Sequence, residues 1–567
     1  MMCTSKIGIS AALCLGMLAA APRAAQACGG FFCSQVPVDQ TGEQIIFSVA
    51  PNHVTAYIQI NYAGSAADFA WVVPVLAKPE ISLGSRAVFQ AVGARTQPQF
   101  RVDWTGDGGF CAGILDPRAT AGGSPPPSSG PGVTVLDASE VGPYQTVTLE
   151  SHDSQQLIDW LNQNGFVQPP AALPLIDHYV RLNMLFVAIR LQQSASVGEI
   201  QPVVLDMATQ DPCVPLILTQ IAAQPDMPVQ VYVLGAARAV PDNWFQVWLD
   251  LARINWLQLG SNYRQLVTAA INQAAGHGFV TEFAGSSVLM KEAIWKAGRY
   301  DTTALRTITD PAALVQALLV AGFPRDSTMQ ALLRKWIPMP AAVSARGVTE
   351  QQFYNNLGAY SADLQAAGFV LDAVGFANEL EERVVMPLMR GQALFDAQPY
   401  LTRMLSTVSP EEMTRDPLFV LNHELPDVSN LHVAKAFGMC QSDGTIANLK
   451  LQLEDGQVLA IDGNSRLYGN TPWPYAAGPA ARRVELVGPT GPPVTVQPAD
   501  IVAIDRALDA MPSAAVRGMV PAAAPTSTSG GCGCALGPGR GGAAVAGFSL
   551  AAALIIIAAR RRPKTRN

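Results

Sequence analysis

Charge is scarce in this chain. Asp, Glu, Lys and Arg together make up 14% of its 567 residues, and the formal net charge is −7. Recognition of nucleic acid requires a basic patch, and nothing in the body of the sequence supplies one, so nucleic acid is not expected as a partner. Histidine is scarcer still, with six residues in all. No G-x-S-x-G elbow, H-E-x-x-H pair or G-x-x-x-x-G-K-[ST] loop occurs, which removes the commonest serine hydrolase, zincin and P-loop chemistries. The G-x-G-x-x-G match at Gly537 to Gly542 follows no strand and is accidental. No C-x-x-C occurs and no histidine stands at ligand spacing from a cysteine, so neither a metal site nor a cofactor is expected.

What the chain does have is an apolar run near each end. Lys6 supplies a short positive region, Ile7 to Ala21 an apolar one, and Ala25-Gln26-Ala27 a small-x-small cleavage pattern, which together predict a signal peptide over 1–27. The mature chain would then begin at Cys28. Lipidation of that cysteine is the rival expectation, although Ala25 stands where lipoprotein signals favour leucine. At the other end, Gly541 to Ala559 carries no charge and is long enough to span the hydrocarbon core as a transmembrane helix. Arg560, Arg561, Arg562 and Lys564 behind it should stay cytoplasmic, which leaves the body exported and membrane-anchored. Residues 511–534, rich in Ala, Pro, Ser and Thr before Cys532 and Cys534, read as a stalk.

Outside the cytoplasm, cysteines pair by default. Five lie in the expected body: Cys28, Cys33, Cys111, Cys213 and Cys440. Two glycines after Cys28 let it turn back toward Cys33. Five is odd, so either one of Cys111, Cys213 and Cys440 stays a thiol, or Cys28 is used elsewhere and the other four pair in one of three ways.

The body is long enough for several domains, and its pattern predicts an α+β protein. Residues 28–240 read as a β-rich, sandwich-like domain, interrupted by a Gly/Pro/Ser-rich loop over 118–132 that is expected to be disordered. Gln44 to Val73 alternates as an antiparallel meander, and Met184 to Ile189, Val203 to Leu205 and Val229 to Leu234 read as further strands. One helix is expected between them, capped by Asp153 or Ser154 and stopped by Gly165. Residues 241–425 change to helical spacing, including Trp244, Trp248, Leu249 and Ile254 in one segment and Val288 to Trp295 in another. Residues 426–510 return to strands: a hairpin about Asp455-Gly456, expected as a type I′ turn, extended by Arg483 to Val487 and Val494 to Val496 into one small sheet.

The densest set of potential acid–base groups is His423, Asp427 and His432, beside Glu424. Pro426 forces a loop there, and a polar turn is the plainer account. The acidic run Glu379, Glu381 and Glu382 is a second set, more simply a solvated helix face paired with Arg383. His53, His152, His178 and His277 stand alone, as surface or satisfied core residues.

Cys28-Gly-Gly-Phe-Phe-Cys33, Pro37-Val38-Asp39-Gln40, Ile60 to Gly64 and Phe69 to Val75 resemble the opening of the bacterial domain-of-unknown-function family 2330, and Trp160 to Phe166 and Pro426 to Asn430 are similar to it as well. The resemblance implies secretion and a shared fold and supplies no catalytic residue. The tail, with its Gly-Cys motif, apolar helix and arginine cluster, resembles a myxobacterial-type C-terminal sorting signal. That implies cutting near Cys532 or Cys534 by a processing protease, lipid on the retained cysteine and transfer to the outer surface. The expected function is a noncatalytic binding, adhesion or structural envelope module with an unidentified extracellular ligand. The alternative is a secreted hydrolase using the His423 to His432 loop.

Overall fold

The computed structural model describes residues 39–63, 70–104, 134–166, 168–192, 200–209, 212–440, 446–461 and 473–510. The chain divides into two units, Met1–Met519 and Val520–Asn567, and every described residue belongs to the first. The leader over 1–27, the loop 118–132, the stalk with Cys532 and Cys534, the run Gly541 to Ala559 and Arg560 to Arg562 lie outside the described residues. Among those described, no helix is long and apolar enough to cross a membrane.

Alternating apolar residues start the fold. β1 (Asp39–Ala50) and β2 (His53–Ala63) pair antiparallel about Asn52, whose φ of 59° is left-handed, a conformation that asparagine tolerates better than most residues. β3 (Ala70–Val75) then departs from the expected meander and joins another sheet. β4 (Glu80–Leu83), α1 (Arg86–Thr96) and β5 (Gln99–Trp104) follow. β6 (Thr134–Val141) and β7 (Tyr144–Glu150) precede α2 (Ser154–Gln163), α3 (Ala172–Arg181) and β8 (Leu185–Leu191). Asp153 caps α2 through the Gln156 amide at 2.9 Å, a contact that contributes about 1 kcal/mol. β9 (Val203–Met207), α4 (Leu216–Thr219), β10 (Met227–Gly235), β11 (Arg238–Pro241), β12 (Phe245–Leu249), α5 (Tyr263–Gln273) and β13 (Gly278–Ser286) come next.

The middle region is helical from α6 (Pro311–Val320) through α7 (Ser327–Trp336), α8 (Ala341–Ser344), α9 (Glu350–Asn355), α10 (Ser361–Ala366) and α11 (Ala373–Leu380) to α12 (Met386–Ala397). Strands resume with β14 (Tyr400–Val408), β15 (Phe419–Asn422), β16 (Leu431–Cys440), β17 (Ile446–Gln452), β18 (Val458–Ile461), β19 (Ala481–Leu486) and β20 (Val494–Val496), and α13 (Ile501–Asp509) ends the described chain.

These elements form a ten-stranded sheet in the order β20-β19-β12-β13-β14-β10-β1-β2-β9-β4. Two four-stranded sheets, β3-β8-β7-β6 and β18-β17-β16-β5, and the pair β11-β15 complete the architecture. Ile45, Phe47, Val231 and Val233 pack against Trp71, Val73, Val187 and Ile189, so the large sheet and the β3-to-β6 sheet face each other as a sandwich. The outer side of the smaller sheet is covered by Leu157, Trp160, Ile176 and Tyr179 of α2 and α3. Each such side chain, fully buried, contributes about 1.5–3 kcal/mol.

Several expectations are corrected. The segment about Trp244 to Ile254 is not one helix: β12 occupies Phe245–Leu249, followed by 3-10 turns at Leu251–Arg253 and Trp256–Gln258. Trp244, Phe245, Gln246 and Val247 are all buried, because the strand is covered on both faces, and a strand covered on both faces shows no period of two. Val288 to Trp295 holds only a 3-10 turn at Ser287–Met290, and the left-handed Glu292 stops further winding. β19 and β20 do not extend the small sheet; β19 pairs with β12 at the edge of the large one. The β17–β18 hairpin forms about Asp455-Gly456, but not as a type I′ turn. Only Gly456, at φ 85°, is left-handed, and its amide donates to the Leu453 carbonyl at 3.0 Å, so a three-residue loop places one extra residue in the turn.

Candidate binding cleft

One face of the large sheet carries two separate apolar clusters with a polar strip between them. On one side, Ile46, Tyr57, Tyr232 and Leu234 lie beneath α1 and the middle helices. On the other, Val247 and Val280 lie beneath α5. The strip is built by five adjacent strands, β13, β14, β10, β1 and β2. Ile45, Ile58, Val231 and Met404 point into the sandwich, so alternation turns their neighbours Gln44, Gln59, Gln230 and Arg403 to this face. Gln230 is in register with Gln44, and Gln44 with Gln59. The three glutamines therefore stand in a row on neighbouring strands, whose backbones are about 4.8 Å apart.

Glu282 reaches the strip through an irregularity. Thr281 registers with Met404 and Phe283 with Arg403, so Glu282 is the extra residue of a bulge, a device that re-aims a side chain. Its carboxylate, almost wholly buried, accepts from Arg403 Nε at 2.5 Å and from the Tyr263 hydroxyl at 2.8 Å. Arg403 Nη2 donates to Gln230 Oε1 at 2.9 Å, and Nη1 donates to the Gly93 carbonyl at the end of α1 at 3.3 Å. The guanidinium also lies 5.5 Å from the centre of the Tyr232 ring. Burial works against the Arg403 cation, but Glu282, together with Tyr232 and Tyr263, holds the group above its ordinary value. Burial pushes the Tyr232 phenol up to about 12, with Arg403 opposing. Tyr263 is raised well above the usual range by burial and then by Glu282.

Above the strip a cleft of about 690 Å³ opens, walled by Phe89 and Gln90 of α1 and by Tyr263 and Arg264 of α5. Its charged pair is satisfied internally. Both oxygens of Glu282 are taken, so it is no free base, and Gln230 is engaged at both ends, its Oε1 by Arg403 and its Nε2 on the Met404 carbonyl at 2.8 Å. Gln44 and Gln59 remain for a ligand, with Glu43 and the exposed Arg264 also on the wall. Gln59 Oε1 is buried without a partner, an acceptor waiting for a donor.

The residues singled out in the sequence lie elsewhere. His432 on β16 is 2.8 Å from Glu454 and stacks on Phe100 at 5.1 Å, while Asp427 accepts from the Tyr400 hydroxyl at 2.6 Å. His423 is exposed in the loop after β15, while Asp427 and His432 are engaged by different partners. Glu379 is paired with Lys335 at 2.6 Å and Arg383 at 3.2 Å, and Glu381 with Arg306 at 2.8 Å. His277 is buried, 3.0 Å from Asp505 and 2.6 Å from the Glu412 carbonyl, and it ties α13 to the core. No disulfide forms among the described residues. Cys28, Cys33 and Cys111 lie outside them, Cys440 contributes described backbone at the end of β16, and Cys213 bridges Leu418 through its backbone. Among the described residues no group of three or more His, Cys, Asp or Glu side chains is placed to hold a metal.

The cleft residues were overlooked, although they leave a trace. Ile58-Gln59-Ile60 and Val229-Gln230-Val231 each set a glutamine inside an apolar strand, where β propensity and burial both disfavour it unless a partner or ligand meets it.

The fold and cleft define a mixed α/β protein with a ligand-sized polar cleft on one face of its main sheet. Residues 22–289 match the family model DUF2330, described as an uncharacterized protein conserved in bacteria. The match ends within the turn after β13, short of Pro426 to Asn430 and of Arg403. No curated protein and no solved structure matches the chain.

Proposed function

We propose that the chain is an exported, surface-anchored, noncatalytic binding module whose cleft takes a neutral, multiply hydroxylated ligand of the saccharide class. The observation that carries this reading is the register-aligned pair Gln44 and Gln59, beside a Gln230 and an ion pair that are satisfied from within. Carboxamides both donate and accept, which suits hydroxyl groups, and the half-buried Tyr263 adds aromatic surface suited to the apolar face of a sugar ring. A cleft volume of about 690 Å³ fits a short oligomer of such units. Export rests on the leader pattern to Ala27, and surface transfer on the Cys532-Cys534 motif ahead of the apolar run and arginine cluster. A hydrolase built on His423, Asp427 and His432 has less support, since Asp427 and His432 are engaged by separate partners.

Calorimetric titration with cello-, xylo- and chito-oligosaccharides tests the ligand class. At least one series should bind, and Gln59→Leu should weaken it tenfold or more. Silence toward all three, or equal binding by the variant, would refute it.

A further inference from the structure

A second pocket, of about 350 Å³, lies on the opposite face of the large sheet. Phe245, Val247 and Leu249 of β12 belong to the cluster beneath α5, so alternation directs Gln246 and Trp248 the other way. There they meet Arg238 of β11 and Arg483 and Glu485 of β19, with Pro426, Pro492 and Pro493 as stiff walls.

The polar groups in this pocket are unevenly satisfied. Glu485 is engaged at both oxygens: it accepts from the Trp248 indole at 2.7 Å and from Arg483 at 2.5 Å. Arg483 and Arg238 both lie over the Trp248 ring, at 5.3 and 5.7 Å. Arg238 is different, being 4% exposed with no carboxylate in ion-pairing distance among the described residues. One of its amino groups donates to the Pro426 carbonyl at 3.0 Å, and its Nε is buried with no partner. Gln246 is 1% exposed; its oxygen accepts from Thr281, and its Nε2 is also buried with no partner. Two orphaned donors thus belong to residues of one small pocket, one of them on a cation that Glu485 and Asp427 act on without forming an ion pair with it. Leaving such groups unmet is costly, and an anion that accepts from both removes the cost.

We propose that this pocket binds a small carboxylate anion, seated by the Arg238 guanidinium and the Gln246 carboxamide. A planar carboxylate offers one oxygen to each donor. Glu424 and Glu485 also line the pocket, which disfavours a multiply charged phosphate. Its far wall is already set, because Asn422 donates to the Gly488 and Gly491 carbonyls at 2.8 and 3.2 Å and so pins the β19–β20 loop. The site is independent of the cleft.

The test is thermal unfolding of the full-length chain at constant ionic strength, with sodium acetate replacing chloride, alongside calorimetric titration with acetate and with inorganic phosphate. The midpoint should rise saturably with acetate and not with phosphate. Arg238→Met should abolish the rise. Gln246→Glu keeps the acceptor for Thr281 but places a carboxylate in the pocket; it should abolish acetate binding and raise the midpoint of the ligand-free protein. Should R238M fail to fold, Q246E decides alone. An acetate effect no larger than that of chloride, one that survives in the variants, or a preference for phosphate overturns the assignment.

Discussion

Glu282 meets Arg403 only because β13 carries one more residue than β14 where the two strands pair. The bulge turns a carboxylate that regular pairing would direct elsewhere onto a guanidinium 2.5 Å away, in the floor of the cleft between two apolar clusters.

Removing one partner of a buried ion pair leaves the other charge uncompensated, at about 3–5 kcal/mol. Glu282→Gln, which preserves shape, should therefore lower stability by about 3 kcal/mol in denaturant unfolding. The double variant E282L/R403M should recover part of that loss. A loss below about 1 kcal/mol for E282Q would mean that the pair is open to water.

Asp416 accepts from the Tyr179 hydroxyl at 3.1 Å and from the Ile217 amide at 2.9 Å, yet burial pushes its carboxyl up to about 7. The folded value lies above the unfolded one, so the folded state holds the extra proton. The associated stability is complete below about pH 4 and is lost as pH rises toward 7. Unfolding midpoints between pH 4 and 8 should fall with rising pH through this group, and Asp416→Asn should flatten that part of the profile. An unchanged profile in the variant would assign the dependence to other groups.

Gly391 lets α12 touch α1. A Cβ there would stand 2.5 Å from a methyl of Val88, and α1 forms one wall of the cleft. Gly391→Ala should cost about 1–3 kcal/mol through overpacking and weaken oligosaccharide binding together with stability. Full stability in the variant would show that the two helices can separate freely.

If the tail is a sorting signal, the mature surface protein ends near Cys532 or Cys534. Mass spectrometry of the cell-surface form should find a C-terminal peptide ending there. An intact peptide containing Arg560 would exclude that processing.

Local pattern revealed much of the fold. β1, β2, β8 and β10 stand where period-two alternation or short apolar runs placed them, and α2 starts at its Asp153 cap. β12 was missed because it is buried on both faces, which erases alternation, and because its aromatic and apolar residues fall by chance at helical spacing. The hairpin at Asp455-Gly456 was legible as a hairpin, while its turn type depended on one φ angle that a two-residue motif does not specify. For the cleft, the lone glutamines in apolar strands were visible. Their alignment was not, since it is set by which strands become neighbours.

The sequence by itself determined where strands and helices can form, which stretches are too polar or too Pro/Gly-rich to pack, and how little charge is available for chemistry. These are local properties, set by side-chain size, branching and polarity over a few residues. Only the tertiary structure decided that Gln44, Gln59, Gln230, Glu282 and Arg403, separated by up to 359 positions in the chain, share one face. Strand order and the bulge in β13 come from long-range packing of two sheets and their covering helices, which no local pattern encodes.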